Sequence, residues 1–216
     1  MKKIKIISTL GPSSLNKNFL NKTKKTIDLV RLNMSHLSLN QLEKNLKYLK
    51  KIKISNICLD TEGAQVRTSK QSKKYFKKNE TVLLTCNKKI KKKKLIKLYP
   101  NFNISKMTIK TLIFIGFDNL ILQIKKKGNN VIVCKVISPG YLESNKGVHF
   151  TYKINLDYLT KKDHQAIEIA KKYKVKNFAL SFANSLTDVK KFRSLIGKEN
   201  FLISKIETEN AIKNFK

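Results

Sequence analysis

Two stretches, Arg31-Leu-Asn-Met-Ser-His36 and Leu59-Asp-Thr-Glu-Gly-Ala-Gln-Val-Arg-Thr68, decide the fold. Each sets polar and charged groups directly after an apolar run that reads as a buried strand. Asp28-Leu-Val leads into the first, and Ile54-Ser-Asn-Ile-Cys-Leu59 into the second. In parallel α/β sheets, ligands bind at the carboxyl ends of the strands. Only three of the 47 basic residues are arginines, and two of those, Arg31 and Arg67, lie in these stretches. A scarce planar guanidinium at a strand end points to a positioned anion contact, because it grips phosphate through two parallel N–H bonds and lysine does not.

Outward from these stretches the chain alternates strand and helix. Ile4 to Leu10 reads as a first strand stopped by Gly11-Pro12, with a lysine-rich helix after it that buries Phe19, Leu20 and Ile27. Ile27 to Leu32 is the second strand. Ser38 with Gln41 makes a capping box for a helix whose Leu42, Leu46 and Leu49 share one face. Ile54 to Leu59 is the third strand. Between about residues 69 and 154 the rhythm shortens to strand-like runs at 81–85, 111–115, 120–124 and 131–136, with turns at 116–119 and 128–130. The βα rhythm then returns. Thr160 with Asp163 caps a helix carrying Ile167 and Ala170, and Phe178 to Phe182 is a fourth strand. Ser185 with Asp188 opens a helix bearing Val189, Phe192, Leu195 and Ile196, which Gly197 closes. Phe201 to Glu207 is a fifth strand, and a last helix begins near Glu209.

The expected fold class is therefore α/β, of the (β/α)8 TIM-barrel type, incomplete at about five βα units. Residues 1–69 and 155–216 are expected to form the barrel part and residues 70–154 a small inserted all-β domain. So few strands would leave an unpaired edge, which implies a fragment or a completing polypeptide, with an open doubly wound sheet as the alternative.

The composition narrows the function classes. An apolar share of 41% supports a core and excludes wholesale disorder. No run of about 18 apolar residues is present, which excludes a transmembrane helix. Met1-Lys-Lys-Ile-Lys-Ile-Ile is too short in apolar residues for a signal peptide. Cys58, Cys86 and Cys134 are odd in number and set among apolar neighbours, as buried reduced thiols of a cytoplasmic protein are. The net charge of +33 would by itself point to a polyanion partner, but the lysines are spread along the whole chain. The densest cluster, Lys88 to Lys97, reads first as a solvated loop or strand edge and second as an adventitious polyanion patch.

Six motifs in order, Ser8-Thr-Leu-Gly-Pro12, the two stretches above, Asn145-Lys-Gly-Val148, Ala179-Leu-Ser-Phe182 and Ile203-Ser-Lys-Ile-Glu207, resemble the amino-terminal part of pyruvate kinases. That family has a barrel with a β-rich domain inserted after its third strand, where the rhythm breaks here. The resemblance implies phosphoryl transfer between phosphoenolpyruvate and ADP, giving pyruvate and ATP, with magnesium or manganese and potassium as cofactors. It also implies a cytoplasmic enzyme that is a homo-oligomer at full length.

By the same resemblance, Lys205 stabilises the transferring phosphoryl group, Glu207 holds the divalent metal and Arg31 binds the substrate phosphate. Asn33, Ser35, Asp60 and Thr61 are implied potassium ligands. Asn33, Ser35, His36, Arg67 and Lys146 are implied nucleotide contacts. Read without the family, Lys205 and Glu207 form an ordinary ion pair, Asn33 and Ser35 are turn formers, Asp60 is a helix cap and His36 a helix-start residue. His149 and His164 have no assigned partner.

The chain departs from the family pattern at Leu37, at Glu62-Gly-Ala-Gln-Val66, at Phe117-Asp-Asn119 and at Phe150-Thr-Tyr152. The family's Gly-Asp carrying the second magnesium carboxylate, a substrate-site threonine and a carboxy-terminal domain are expected after residue 216. Two other classes remain open at this level: a catalytically incomplete structural subunit, and a basic nucleic-acid binder on the same scaffold.

Overall fold

A computed structural model describes residues 4–116 and 120–215. The Phe117–Asn119 turn lies outside the described residues. The chain divides into two compact units, one of residues 1–64 with 157–216 and one of residues 65–156.

The first unit opens with β1 (Ile7–Thr9), α1 (Lys17–Thr23), β2 (Leu29–Asn33), α2 (Leu39–Lys51) and β3 (Ile57–Asp60). Helix α2 starts where its sequence says it should. Ser38 Oγ accepts from Gln41 N at 3.2 Å and Gln41 Oε1 accepts from Ser38 N at 2.9 Å, so two otherwise orphaned donors are satisfied reciprocally. Lys50 and Lys51 sit in its last turn, against the negative end of the helix dipole.

The chain then builds the second unit. Its strands are β4 (Arg67–Thr68), β5 (Lys74–Phe76), β6 (Thr81–Thr85), β7 (Leu95–Tyr99), β8 (Leu112–Ile115), β9 (Leu120–Lys126), β10 (Ile132–Ser138), β11 (Gly140–Leu142) and β12 (Val148–Phe150). Seven of them form one sheet in the order β12-β8-β9-β10-β6-β7-β4, antiparallel except for β6 with β7, and β11 pairs with β5. Alternate residues of the long strands, among them Val82, Leu84, Leu122, Ile124, Ile132 and Cys134, fill this unit's own core.

On return to the first unit the chain forms α3 (Lys161–Lys172), β13 (Asn177–Leu180), α4 (Leu186–Ile196), β14 (Phe201–Ser204) and α5 (Glu209–Lys213). All five strands of this unit are parallel, in the order β1-β2-β3-β13-β14. Spatial order thus follows chain order, with α1 to α4 in the connections. This is the winding of a (β/α)8-type barrel carried through part of its circuit, with the β unit inserted after the third strand. An open doubly wound sheet would reverse its order at a switch point, and this sheet does not.

Period-two alternation assigns the two faces of the parallel sheet. Val30, Leu32, Ile57, Leu59, Phe178 and Leu180 point to the helices, where Leu42, Leu46, Leu49, Ala166, Ile167, Ala170, Phe192 and Ile196 meet them in one core. The register then places Thr9, Arg31, Cys58, Asp60 and Ala179 on the other face.

Several strands are shorter than the hydrophobic pattern predicts. Ile4 is 83% exposed outside β1, and Ile54 N bonds back to Leu49 O, closing α2 instead of extending β3. The lysine cluster is a loop up to Lys94, but its last part becomes β7, with Ile96 and Leu98 buried. Cys58, Cys86 and Cys134 are buried free thiols.

Candidate active site

Asp60, the last residue of β3, has no solvent exposure and organises the carboxyl ends of the parallel strands. Its carboxylate accepts from Arg31 Nε at 2.8 Å and from a terminal nitrogen of the same guanidinium. Lys205 Nζ approaches its two oxygens at 3.2 and 3.3 Å. Arg31 is further held by Thr9, whose Oγ1 accepts from Nη1 at 2.6 Å. The strand register explains the meeting: Thr9 is the partner of Arg31 across β1 and β2, and Asn33 of Asp60 across β2 and β3. The ladder also runs on past the formal strand ends. Met34 N bonds to Asp60 O, Thr61 N to Ala179 O and Lys205 N to Leu180 O, which fixes the backbone beneath each polar side chain.

Ser181 locks this cluster. Its Oγ accepts from Lys205 Nζ at 2.9 Å and has one proton to give, with the Thr61 carbonyl at 2.6 Å and Asp60 Oδ1 at 3.1 Å as acceptors. Ser181 N donates to Thr61 Oγ1 at 3.0 Å. Glu207 Oε1 lies 3.4 Å from Lys205 Nζ, and its Oε2 accepts from Phe182 N at 3.0 Å. Cys58, one layer below, has its thiol pushed up to about 12 by burial and then by the Asp60 carboxylate, against a weaker opposite pull from Arg31 and Lys205.

The loop after β3 is anchored from α3. Asp163, fully buried, accepts from Glu62 N at 2.6 Å and Gly63 N at 3.1 Å while its Oδ2 also takes Thr160 N at 2.9 Å. One carboxylate thereby caps a helix and holds the site loop. Gly63 has φ +74, and a Cβ there would lie 2.7 Å from Ser181 Cβ and its carbonyl oxygen, so this position admits only glycine without displacement. Lys162 Nζ, from the same helix start, donates to Met34 O at 2.5 Å.

The structure brings Arg31, Asp60, Lys205 and Glu207 together in the first unit. Thr61 joins them through Ser181. Asn33 Oδ1 accepts from Ser35 N at 3.0 Å, and His36 N donates to Asn33 O at 3.2 Å, so these three form the turn leading into α2. Thr9, Ser181 and Asp163 are missed when the sequence is read residue by residue. The alternation that places Arg31 also places Thr9 and Ser181, and the capping box that starts α3 contains Asp163.

Arg67 and Lys146 lie in the second unit. Arg67 pairs with Tyr99 across β4 and β7, bridges Gly147, and donates from Nη1 to Asn145 O at 3.3 Å. Lys146 N bonds to Thr68 Oγ1 at 2.8 Å, and its Nζ reaches Glu143 Oε2 at 2.9 Å, with Lys73 Nζ 2.7 Å from the other carboxylate oxygen. Hydrogen bonds from Lys73 and then Lys146 hold the Glu143 carboxyl down at about 2.

Hard oxygen donors fit magnesium, which takes one or two carboxylates and completes its shell with substrate phosphates and water. Glu207 is such a carboxylate, partly exposed at the strand ends. Oxygens of Asn33, Ser35, Asp60 and Thr61 are of the kind potassium takes, with Asp60 already engaged by two cations. Among the described residues, no group of three or more His, Cys, Asp or Glu side chains is placed to hold a metal.

The family profile described as pyruvate kinase, barrel domain, matches residues 1–216. The pyruvate kinase of Methanocaldococcus jannaschii is 32% identical over 222 aligned positions, covering all of this chain and 46% of that protein. Those of Thermococcus litoralis and Buchnera aphidicola are 29% and 30% identical, covering 99% and 98% of this chain and 47% of each relative. The chain spans about half the length of the curated relatives it matches. With a partial barrel circuit, an insert after its third strand and a profile match along its whole length, the chain belongs to the pyruvate kinase barrel-domain family.

Proposed function

We propose that this chain takes part in phosphoryl transfer between phosphoenolpyruvate and ADP, yielding pyruvate and ATP. The observation that carries the reading is Lys205, held by Asp60 and Ser181 beside Arg31 and Glu207 at the carboxyl ends of the strands. Phosphoryl transfer is dominated by positioning and by neutralising charge on the equatorial oxygens. Arg31, with its plane fixed by Thr9 and Asp60, keeps further N–H groups for the substrate phosphate. Lys205 provides the positive charge for the transferring group, and Asp60 holds both cations in place while its single negative charge leaves the pair net positive. Glu207 would hold magnesium or manganese, and Asn33, Ser35, Asp60 and Thr61 would hold potassium. When bound, these ions supply charge neutralisation and orientation of the phosphates. Arg67 and Lys146, with Asn33, Ser35 and His36, are assigned to the nucleotide. The second unit, residues 65–156, acts as a lid domain inserted between the barrel segments 1–64 and 157–216.

The reading also carries a cytoplasmic location and a homo-oligomeric whole protein. Among the described residues, no helix is long and apolar enough to cross a membrane. A second reading, a fold-retaining subunit without turnover, draws on the direct 3.4 Å pairing of Lys205 with Glu207, which satisfies both charges internally. Turnover of phosphoenolpyruvate and ADP by the native gene product, followed by coupled pyruvate reduction, decides between them. Lys205→Met is expected to lower kcat by about 100-fold or more, the usual cost of removing one transition-state charge contact. Unchanged turnover in that variant would overturn the assignment.

A further inference from the structure

Two lysine runs far apart in sequence meet at one end of the seven-stranded sheet. The connection from β6 to β7 carries Lys88 and Lys89, and the end of β9 with the turn after it carries Lys126 and Lys127, all four exposed. The register brings them together. Thr85, the last residue of β6, is the partner of Lys97 in β7, and Thr85 Oγ1 donates to the Asn130 carbonyl of the β9–β10 turn at 2.5 Å. Lys97 Nζ in turn donates to the Lys88 carbonyl at 3.0 Å, pinning the connection to the same end. The exposed run 91–94 continues down the adjoining edge.

This rim has no acid of its own. The carboxylates among the described residues of the second unit are Glu80 and Glu143. Glu80 pairs with Lys94 at 3.5 Å, and Glu143 with Lys73 and Lys146. We propose that this rim is a docking surface for the phosphate backbone of a double-stranded nucleic acid. The sequence segments that form it contain neither arginine nor an aromatic residue. It therefore lacks the planar fork that reads guanine and the rings on which unpaired bases stack, and what remains is phosphate contact through point charges. Such binding is driven by counterion release, and its affinity falls steeply with salt. No amphipathic helix accompanies the lysines, so nothing at the rim inserts into a lipid surface.

The test titrates the full chain with RNA and DNA duplexes of about 20 base pairs at several salt concentrations. A rim variant with Lys88, Lys89, Lys126 and Lys127 all changed to Gln is compared with a control carrying Gln at Lys24, Lys25, Lys190 and Lys191, exposed lysines of the first unit. Circular dichroism confirms that both variants are folded. The rim variant is expected to lose at least about tenfold in affinity at 0.1 M salt, with the log–log salt slope reduced by about 3 to 4, near one per lysine contact removed. The control should lose less than about threefold. An equal loss in the control would show that net charge alone is responsible and would overturn the proposal. Absence of duplex binding, or binding only to phosphatidylserine vesicles, would overturn it as well.

Discussion

Asp60 sets one negative charge between two cations that come from different segments of the sheet, and the cost of removing it follows from that. Asp60→Asn strips Arg31 of its carboxylate partner and leaves Lys205 with Glu207 alone, so the two cations face each other with less counter-charge between them. Breaking a buried pair from one side costs about 3–5 kcal/mol, and the lower end applies because both cations are about a quarter exposed. A loss of about 3 kcal/mol in urea unfolding is expected, and a loss below about 1 kcal/mol would show that the pairs contribute little. The buried thiols give a pH prediction. Cys58 and Cys134 are raised to about 12 and Cys86 to about 11, from an ordinary value of 9.0. Their raised values mean that the folded chain holds protons the unfolded chain releases. Stability is therefore fully present below about pH 9 and falls as pH rises through 9 to 12, by up to about 1.4 kcal/mol per pH unit for each thiol. Cys134→Ala should flatten that fall in unfolding curves taken from pH 8 to 10.5. That Arg31, Lys205 and Glu207 belong near one another was legible in sequence because arginine is scarce here and the Ile203-Ser-Lys-Ile-Glu207 motif is distinctive. Ser181 was not, since a serine declares a role only through what its single proton and lone pairs meet.

At the scale of elements, the connection from Asp163 to the β3 loop makes α3 more than a covering helix. Asp163→Ala removes the reciprocal half of the α3 capping box, a loss of up to about 1 kcal/mol, and strands the Glu62 and Gly63 amides in a buried setting. The expected total is about 2–4 kcal/mol, accompanied by faster hydrogen exchange at those two amides specifically. A uniform increase across the unit would instead mark a purely global effect. Helices were well signalled by capping residues and a 3.6 period, as at Ser38-Leu-Asn-Gln41 and Thr160 to Asp163. The strands β4, β5, β11 and β12 were not, because two or three residues are too few for alternation to show. Strand β7 was hidden for another reason. Lysines flank and interrupt Leu95-Ile-Lys-Leu98, and only the pairing with β6 shows Lys97 to be the outward member of an alternating strand.

Across the whole molecule, each unit has its own core and the charge is far from balanced. Residues 65–156 expressed alone should fold, because the seven-stranded sheet and its core are contained within them. A sheet-type circular dichroism spectrum with cooperative melting is the expected result, and a random-coil spectrum would refute it. With a net charge of +33, self-repulsion opposes compaction, so the melting temperature of the full chain should rise between 0.01 and about 0.3 M salt as charges are screened. The Asp60 junction also bears on how this sequence drifts over generations. Arg31, Asp60, Ser181 and Lys205 come from four neighbouring segments of the parallel sheet, and each is the partner that makes another tolerable. A replacement at one of them alters the cost of replacing the others, so they change as a set or hardly at all, and the quartet should stay fixed while the lysine-rich exterior is rewritten around it.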